Sequence, residues 1–171
     1  MSFPHVIRPQ RTTLALCLAL AALSGSQADA ATATGPLAIT AAVTGTCSVG
    51  ASVLGFSSAS SATILAGNID NTGTILVTCT SGSGYTVNLD AGLGTGATVA
   101  VRKMASGTNL LNYSIYTTAA RTTVWCDDAP GSVTGTGTGA AQTLSAYGRI
   151  FSGQVAIAGS YTDTVNVTIT Y

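Results

Sequence analysis

The chain has 171 residues, six basic and six acidic, with no Glu and a single His. Only 7% of its residues are charged, against about 25% in an average soluble domain, so no basic patch exists to grip a nucleic-acid backbone. The one His, His5, lies in a leader, which removes a Ser–His–Asp triad, a His-based zinc site and most proton-transfer chemistry near neutral pH.

Residues 1–30 read as a secretory signal rather than as fold. Arg8 and Arg11 precede an apolar run over residues 14–23, and Ala28-Asp29-Ala30 closes the segment in the small-x-small pattern of a peptidase site. Cleavage is expected between Ala30 and Ala31. The run is about half of what a membrane span needs, so no membrane insertion of the mature chain is expected. Cys17 follows the large Leu16, which argues against lipidation, and it leaves with the signal. What remains, residues 31–171, is the size of one domain. It carries four basic residues (Arg102, Lys103, Arg121, Arg149) against five acidic ones (Asp70, Asp90, Asp127, Asp128, Asp163), a net charge near 4 − 5 = −1. A surface so short of charge is poorly protected from association, which suits a protein meant to assemble.

Helical periodicity is absent from residues 31–171, while period-2 alternation recurs. In residues 36–45, Leu37, Ile39, Ala41 and Val43 share a face opposite Thr40 and Thr44. A Ser/Ala tract at residues 57–61 reads as a loop. Ile75, Val77 and Cys79 alternate in the next strand, and Tyr85, Val87 and Leu89 follow between Gly84 and Gly92. Leu111, Tyr113 and Ile115 mark another. Residues 130–141, rich in Gly and Thr, read as a mobile loop, and Val155 and Ile157 form a short alternating segment. At the end Tyr161, Val165, Val167, Ile169 and Tyr171 alternate with Thr and Asn. β-Branched residues in short runs between Gly-, Ser- and Asn-rich turns predict an all-β antiparallel sandwich or barrel.

Three cysteines in an exported chain imply one disulfide and one odd thiol. Cys47 follows the first alternating segment and Cys79 closes the next clear strand. Their bond would enclose residues 48–78, worth roughly 3.5–4 kcal/mol by loop entropy. Cys126 is then the odd one, read as a buried free thiol. Asp127 and Asp128 precede Pro130-Gly131 and read as a turn whose Asp caps its own backbone. Neighbouring strand residues face opposite ways, unsuited to paired acid–base work, and no Asp-rich loop completes a calcium site. No catalytic residue, metal or cofactor is expected.

Several stretches together resemble the spore coat protein U domain. They are residues 41–47 ending in Gly-Thr-Cys, Thr74-Ile-Leu-Val-Thr-Cys79, and Tyr113-Ser-Ile-Tyr116 running through Thr, Ala and Arg into Trp125. Leu144-Ser-Ala-Tyr-Gly-Arg-Ile150 and Gly159-Ser-Tyr-Thr-Asp-Thr-Val-Asn-Val-Thr-Ile-Thr-Tyr171 complete them. That family includes subunits of archaic chaperone–usher pili. The resemblance implies an immunoglobulin-like sandwich lacking its last strand and completed by donor-strand complementation, residues 46–171 being the domain and 31–45 the donor segment. It makes Leu37, Ile39, Ala41 and Val43 the donor side chains and Cys47–Cys79 the family's disulfide. It makes Val165, Val167, Ile169 and Tyr171 the groove-edge strand that a periplasmic chaperone pairs with, the terminal carboxylate being an anchor. An outer-membrane usher and identical or homologous subunits complete the partners. Cys126 stands where many relatives have Gly, which puts the local turn in doubt. The implied role is a structural subunit of a surface fibre, exported through the periplasm and supporting adhesion or biofilm formation. The rival readings are a spore- or cyst-coat protein assembling without a usher, an enzyme, and a sugar-binding sandwich displaying Trp125 and the tyrosines.

Overall fold

A computed structural model describes residues 29–50, 52–128 and 130–171. The basic and apolar parts of the signal, including Cys17, lie outside the described residues. The described chain falls into two units divided after Thr40, the second being Ala41–Tyr171. Residues 29–40 carry no strand or helix, and Leu37 and Ile39 are exposed.

The second unit is built from two antiparallel sheets. In chain order its elements are β1 (Cys47–Val49), α1 (Ser61–Ala66), β2 (Ile69–Cys79), β3 (Gly84–Leu89), β4 (Arg102–Ser106), β5 (Asn109–Tyr116), β6 (Val133–Thr136), β7 (Ala141–Ile150) and β8 (Val167–Thr170). One sheet has the order β1-β2-β7-β5-β4 and the other β6-β3-β8. The expected all-β, immunoglobulin-like architecture is present. Alternation explains the core: Ile75, Val77 and Cys79 of β2, Leu111, Tyr113 and Ile115 of β5 and Ala146 and Ile150 of β7 meet Tyr85, Val87 and Leu89 of β3. Trp125, fully buried, lies in this core and donates from Nε1 to the Val87 carbonyl at 2.9 Å. It offers no face to a sugar.

Four elements differ from the alternation reading. Residues 130–141 include β6, which pairs with β3 from Val87↔Val133 to Gly84↔Thr136. Its glycines disguised it, yet Gly135 is needed there because a Cβ would strike the Tyr85 ring. β4 was hidden by its charged start, Arg102-Lys103. The one helix among the described residues, α1, is capped by Ser60, whose hydroxyl accepts the Thr63 N–H, and it buries only Ile64. A single buried residue leaves no periodicity to read. Val155 and Ile157 form no strand; both are exposed, on the segment that carries the chain from β7 to β8.

The disulfide Cys47–Cys79 is formed, with Cα atoms 4.1 Å apart, and it joins a register pair of β1 and β2. Cys126 is free but half-buried rather than buried, its thiol donating to Asp128 Oδ1 at 3.0 Å. The turn after Trp125 closes through Gly131 N–H to Asp128 O and Cys126 N–H to Gly131 O. The turn is thus closed with Cys126 in place.

Candidate functional site: an open cleft beside the last strand

Strand pairing defines two poles. Cys47 pairs with Cys79, and Thr170 with Thr86, so the start of β1 and the end of β8 share an upper pole. Ile69 pairs with Ile150, and Val167 with Leu89, at the lower pole. β1 therefore descends while β8 rises.

Among the described residues β8 has a neighbour on one side only, β3. Asp90 N–H donates to the Asn166 carbonyl at 3.2 Å. In an antiparallel ladder alternate residues address the same neighbour, so Asn166, Thr168 and Thr170 turn their backbone groups to β3. Those of Val165, Val167, Ile169 and Tyr171 turn to the open edge. Val165, Val167 and Ile169 also point their side chains at the core, yet each remains only half-buried. Their counterparts on β3, Val87 and Leu89, are sealed to 0% and 2% exposure. Side chains that face a core without being covered by it mark a missing layer.

That layer corresponds to a cleft of about 970 Å³ between the sheets, reaching the core through Ile75, Leu111, Ile115, Ala146 and Ile150. Its near wall is Val165 and Val167; its far wall is the segment after β1. This far wall can lie on the sheet because Gly148 has no side chain. A Cβ there would come within 2.7 Å of the Phe56 ring and 2.8 Å of Leu54. Phe56 then meets Tyr113 edge-to-face, with centroids 6.2 Å apart. The Tyr-Gly-Arg stretch is thereby explained: Gly148 makes room inside, while Arg149 pairs outside with Asp70 at 2.8 Å.

A polar belt fixes the lower end of the cleft. Asp163 accepts the Tyr113 hydroxyl at 2.7 Å and the Leu93 N–H at 2.8 Å. Burial and this carboxylate push the Tyr113 phenol far above its usual range. Asp90 Oδ1 accepts the N–H of Gly92 as well as that of Asn166. Burial would raise the Asp90 carboxyl, but the Asn166 and Gly92 hydrogen bonds and the Arg102 charge bring it below its ordinary value. Arg102 is fully buried and donates to four carbonyls, those of Asp90, Val99, Leu89 and Trp125. Burial depresses its pKa. Alternation does not reveal this Arg, because a buried guanidinium satisfied by backbone leaves no charged partner in sequence.

The model of the Spore Coat Protein U domain matches residues 33–168. The chain belongs to this family. This spore coat protein U domain is 33% identical over 106 residues to Protein U of Myxococcus xanthus, an alignment covering 58% of this chain and 59% of that protein. The fold is similar to a chain in the crystal structure of the CsuC–CsuE chaperone–tip adhesion subunit pre-assembly complex from archaic chaperone-usher Csu pili of Acinetobacter baumannii. The TM-score is 0.54 at 20% identity, over 75% of this chain and 40% of that one. The domain therefore spans well under two thirds of either relative. Among its described residues no helix is long and apolar enough to cross a membrane.

Of the residues singled out in sequence, Cys47 and Cys79 meet, and Val165, Val167 and Ile169 line up on one uncovered edge, with Tyr171 exposed beyond them. Leu37, Ile39 and Val43 are exposed, and Ala41 with them.

Proposed function

We propose that this chain is a non-catalytic structural subunit of a bacterial surface fibre, in which the cleft beside β8 receives a strand donated by another copy. The observation that carries it is the open edge of β8, where Val165, Val167 and Ile169 face the core uncovered. The donated element is residues 36–44, with Leu37, Ile39, Ala41 and Val43 entering the cleft. An extended segment of alternating apolar residues suits strand addition, since backbone bonds give affinity and alternate side chains give register. Before assembly the open edge is an aggregation hazard, so a periplasmic chaperone pairs with residues 165–171 and an outer-membrane usher makes the exchange. Export follows cleavage between Ala30 and Ala31. The structural likeness to a chaperone-bound pilus subunit supports this reading, with adhesion or biofilm formation as the fibre's role.

Antiparallel insertion along β8 also gives a sensible polymer. It brings the donating body to the acceptor's lower pole, while the acceptor's own residue 46 leaves from the upper pole. Head-to-tail contacts of this kind propagate as filaments. A second reading is favoured by the 33% identity to Protein U: a coat protein that assembles without a usher.

Deleting residues 31–44 tests strand donation. The shortened chain is expected to form no polymers, seen by electron microscopy, yet to bind a synthetic peptide of residues 31–45. Polymers from the deleted chain would overturn the proposal. Assembly of the intact chain in a strain lacking any usher would favour the coat.

A further inference from the structure

The inward row of side chains beside the open edge is not uniform. Side chains alternate along an extended chain, so Asp163 falls on the same face as Val165, Val167, Ile169 and Tyr171. It lines the cleft together with Val165 and Val167. Its carboxylate is fixed by three donors: the Tyr113 hydroxyl at 2.7 Å, the Leu93 N–H at 2.8 Å and the N–H of its neighbour Thr164 at 2.8 Å. Gly92, at φ 77°, clears the space for it, since a Cβ there would strike Asp163 Oδ2. A row of apolar side chains open to a donor thus ends, at the lower pole, in one rigid carboxylate.

The donor is limited from its other end. Thr46 belongs to the folded body: its N–H donates to Thr80 Oγ1 at 3.0 Å, and its carbonyl accepts the Thr80 N–H at 2.9 Å. Cys47, next to it, is bonded to Cys79. Gly45 is therefore the last residue able to enter a neighbour's cleft. Opposite residues of an antiparallel pair point to the same face, so the donor's apolar row stays inward only if its alignment shifts in steps of two. With Gly45 opposite Asp163, Val43 meets Val165, Ala41 meets Val167, Ile39 meets Ile169 and Leu37 meets Tyr171. Drawn back by two residues toward the lower pole, the donor would set the Val43 isopropyl group over the Asp163 carboxylate. That would strip the carboxylate of water without offering a partner. Pushed in by two residues, it would need Cys47 opposite Asp163, which the pairing of Thr46 and Cys47 within their own body forbids.

We propose that Asp163 is the register stop of the cleft. It admits the donor segment of a second copy of this chain in one alignment, with Gly45 against the carboxylate and Val43, Ala41 and Ile39 opposite Val165, Val167 and Ile169. The proposal rests on strand donation into the cleft. It gives the cleft a specificity beyond apolar alternation: an accepted donor carries a residue without a side chain two places after its last apolar one. Val43-Thr44-Gly45 meets that requirement.

Disulfide trapping tests it on the full chain in a C126S background, which removes the free thiol. Side chains directly opposite one another lie about 4.5–5.5 Å apart at Cβ and diagonal ones about 7–8 Å, so a disulfide reports the alignment. Polymers carrying A41C with V167C are expected to give a covalent ladder on mild oxidation. Polymers carrying I39C with V167C, a pair that comes opposite only when the donor is drawn back by two, should give almost none. Removing the stop should raise that slipped ladder at least about fivefold, because a strand slips where nothing penalises the wrong register. D163A removes the carboxylate from the acceptor. V43G removes the isopropyl group from the donor, where Val43 is 87% exposed and contributes nothing to the subunit's own fold. L37G, which trims the donor far from Asp163, should leave the slipped ladder faint. With assembly still dependent on residues 31–44, three results would each overturn the register stop and leave strand donation standing. They are no ladder from A41C with V167C, a strong slipped ladder in the parent, and no rise of the slipped ladder with V43G. Polymers surviving deletion of residues 31–44 would instead sink strand donation, and the stop with it.

Discussion

Asp90 holds Asn166 with both carboxylate oxygens: Oδ1 accepts its N–H at 2.9 Å and Oδ2 its side-chain amide at 2.6 Å. Asn166 immediately precedes β8, so this clamp sets where the open strand begins. Asp90 in turn is positioned by Arg102, which donates from Nε to its carbonyl at 2.8 Å. The cleft's near wall is thus anchored from inside the domain rather than by a strand on its outer side.

The clamp makes stability sensitive to acid. For Asp90, burial acts upward but is outweighed by the Asn166 and Gly92 hydrogen bonds. For Asp70, the Arg149 hydrogen bond is the largest influence and lowers its carboxyl. A carboxyl whose folded pKa is depressed contributes stability that is complete above its unfolded value of about 3.9 and is lost as pH falls through the folded value. Stability is expected to be flat from neutral pH to about 5 and to fall below about 4. D90N should be less stable at neutral pH, because its amide nitrogen would face the Asn166 side-chain donor in place of the Oδ2 acceptor, and should show a shallower acid limb. Urea midpoints measured across pH test this; equal slopes in D90N and the parent would count against the clamp.

Arg102 should be the least replaceable charged residue. Its guanidinium satisfies four carbonyls with no ion pair among the described residues. Lys offers three donors on a flexible stem and cannot reproduce the planar fork. Each buried acceptor left unpaired costs about 1–3 kcal/mol, so R102M is expected to lose at least about 3 kcal/mol. R102K should recover only part of that. Denaturant unfolding of a strand-completed monomer decides the matter, and a neutral R102M would refute the role assigned to this residue.

The cysteines should divide cleanly. Peptide mapping without reductant is expected to show Cys47 joined to Cys79 and Cys126 alone. Replacing Cys47 and Cys79 together by Ser should remove roughly 3.5–4 kcal/mol, because β1 is a strand of only three residues. C126S should be close to neutral, since the thiol makes only weak hydrogen bonds at a half-buried position. A large loss in C126S would mean the turn depends on sulfur.

What was legible in the sequence follows from how each residue earns its place. Ile75, Val77 and Cys79, or Tyr85, Val87 and Leu89, are buried on one face and solvated on the other, so period 2 announces them. β6 and β4 escaped because one is built on Gly packed under an aromatic ring and the other opens on a buried Arg. The end strand illustrates the opposite error. Residues 161–171 alternate throughout, yet only Val167–Thr170 are paired as β8, because alternation records two faces and not whether a neighbour is present on each edge. Val155 and Ile157 alternate as well, but hydrogen bonds to Asn112 and Tyr161 hold their segment as a crossing loop. The cleft was not readable from alternation, since an unpaired strand edge leaves no pattern of its own in the sequence.

The vacancy should be fillable from within one chain. β8 rises to the upper pole, so a short turn after Tyr171 would send an appended copy of residues 36–44 back down the open edge, antiparallel to β8. Backbone groups of Val165, Val167 and Ile169 would then find partners, each net bond adding about 0.5–1.5 kcal/mol. Burial of Leu37, Ile39 and Val43 would contribute roughly 1.5–3 kcal/mol each. Together these are comparable with the whole stability of a typical domain, about 5–15 kcal/mol. The chain carrying this graft, with its native residues 31–44 deleted, is therefore expected to be a monomer with a melting temperature raised by tens of degrees over the deleted chain alone. Replacing Ile39 of the graft by Asp should forfeit most of that gain, because a carboxylate would enter an apolar cleft without a partner. Calorimetry and sizing measure both effects. An unchanged melting temperature in the grafted chain, or an Asp variant as stable as its parent, would show that this segment does not fill the cleft.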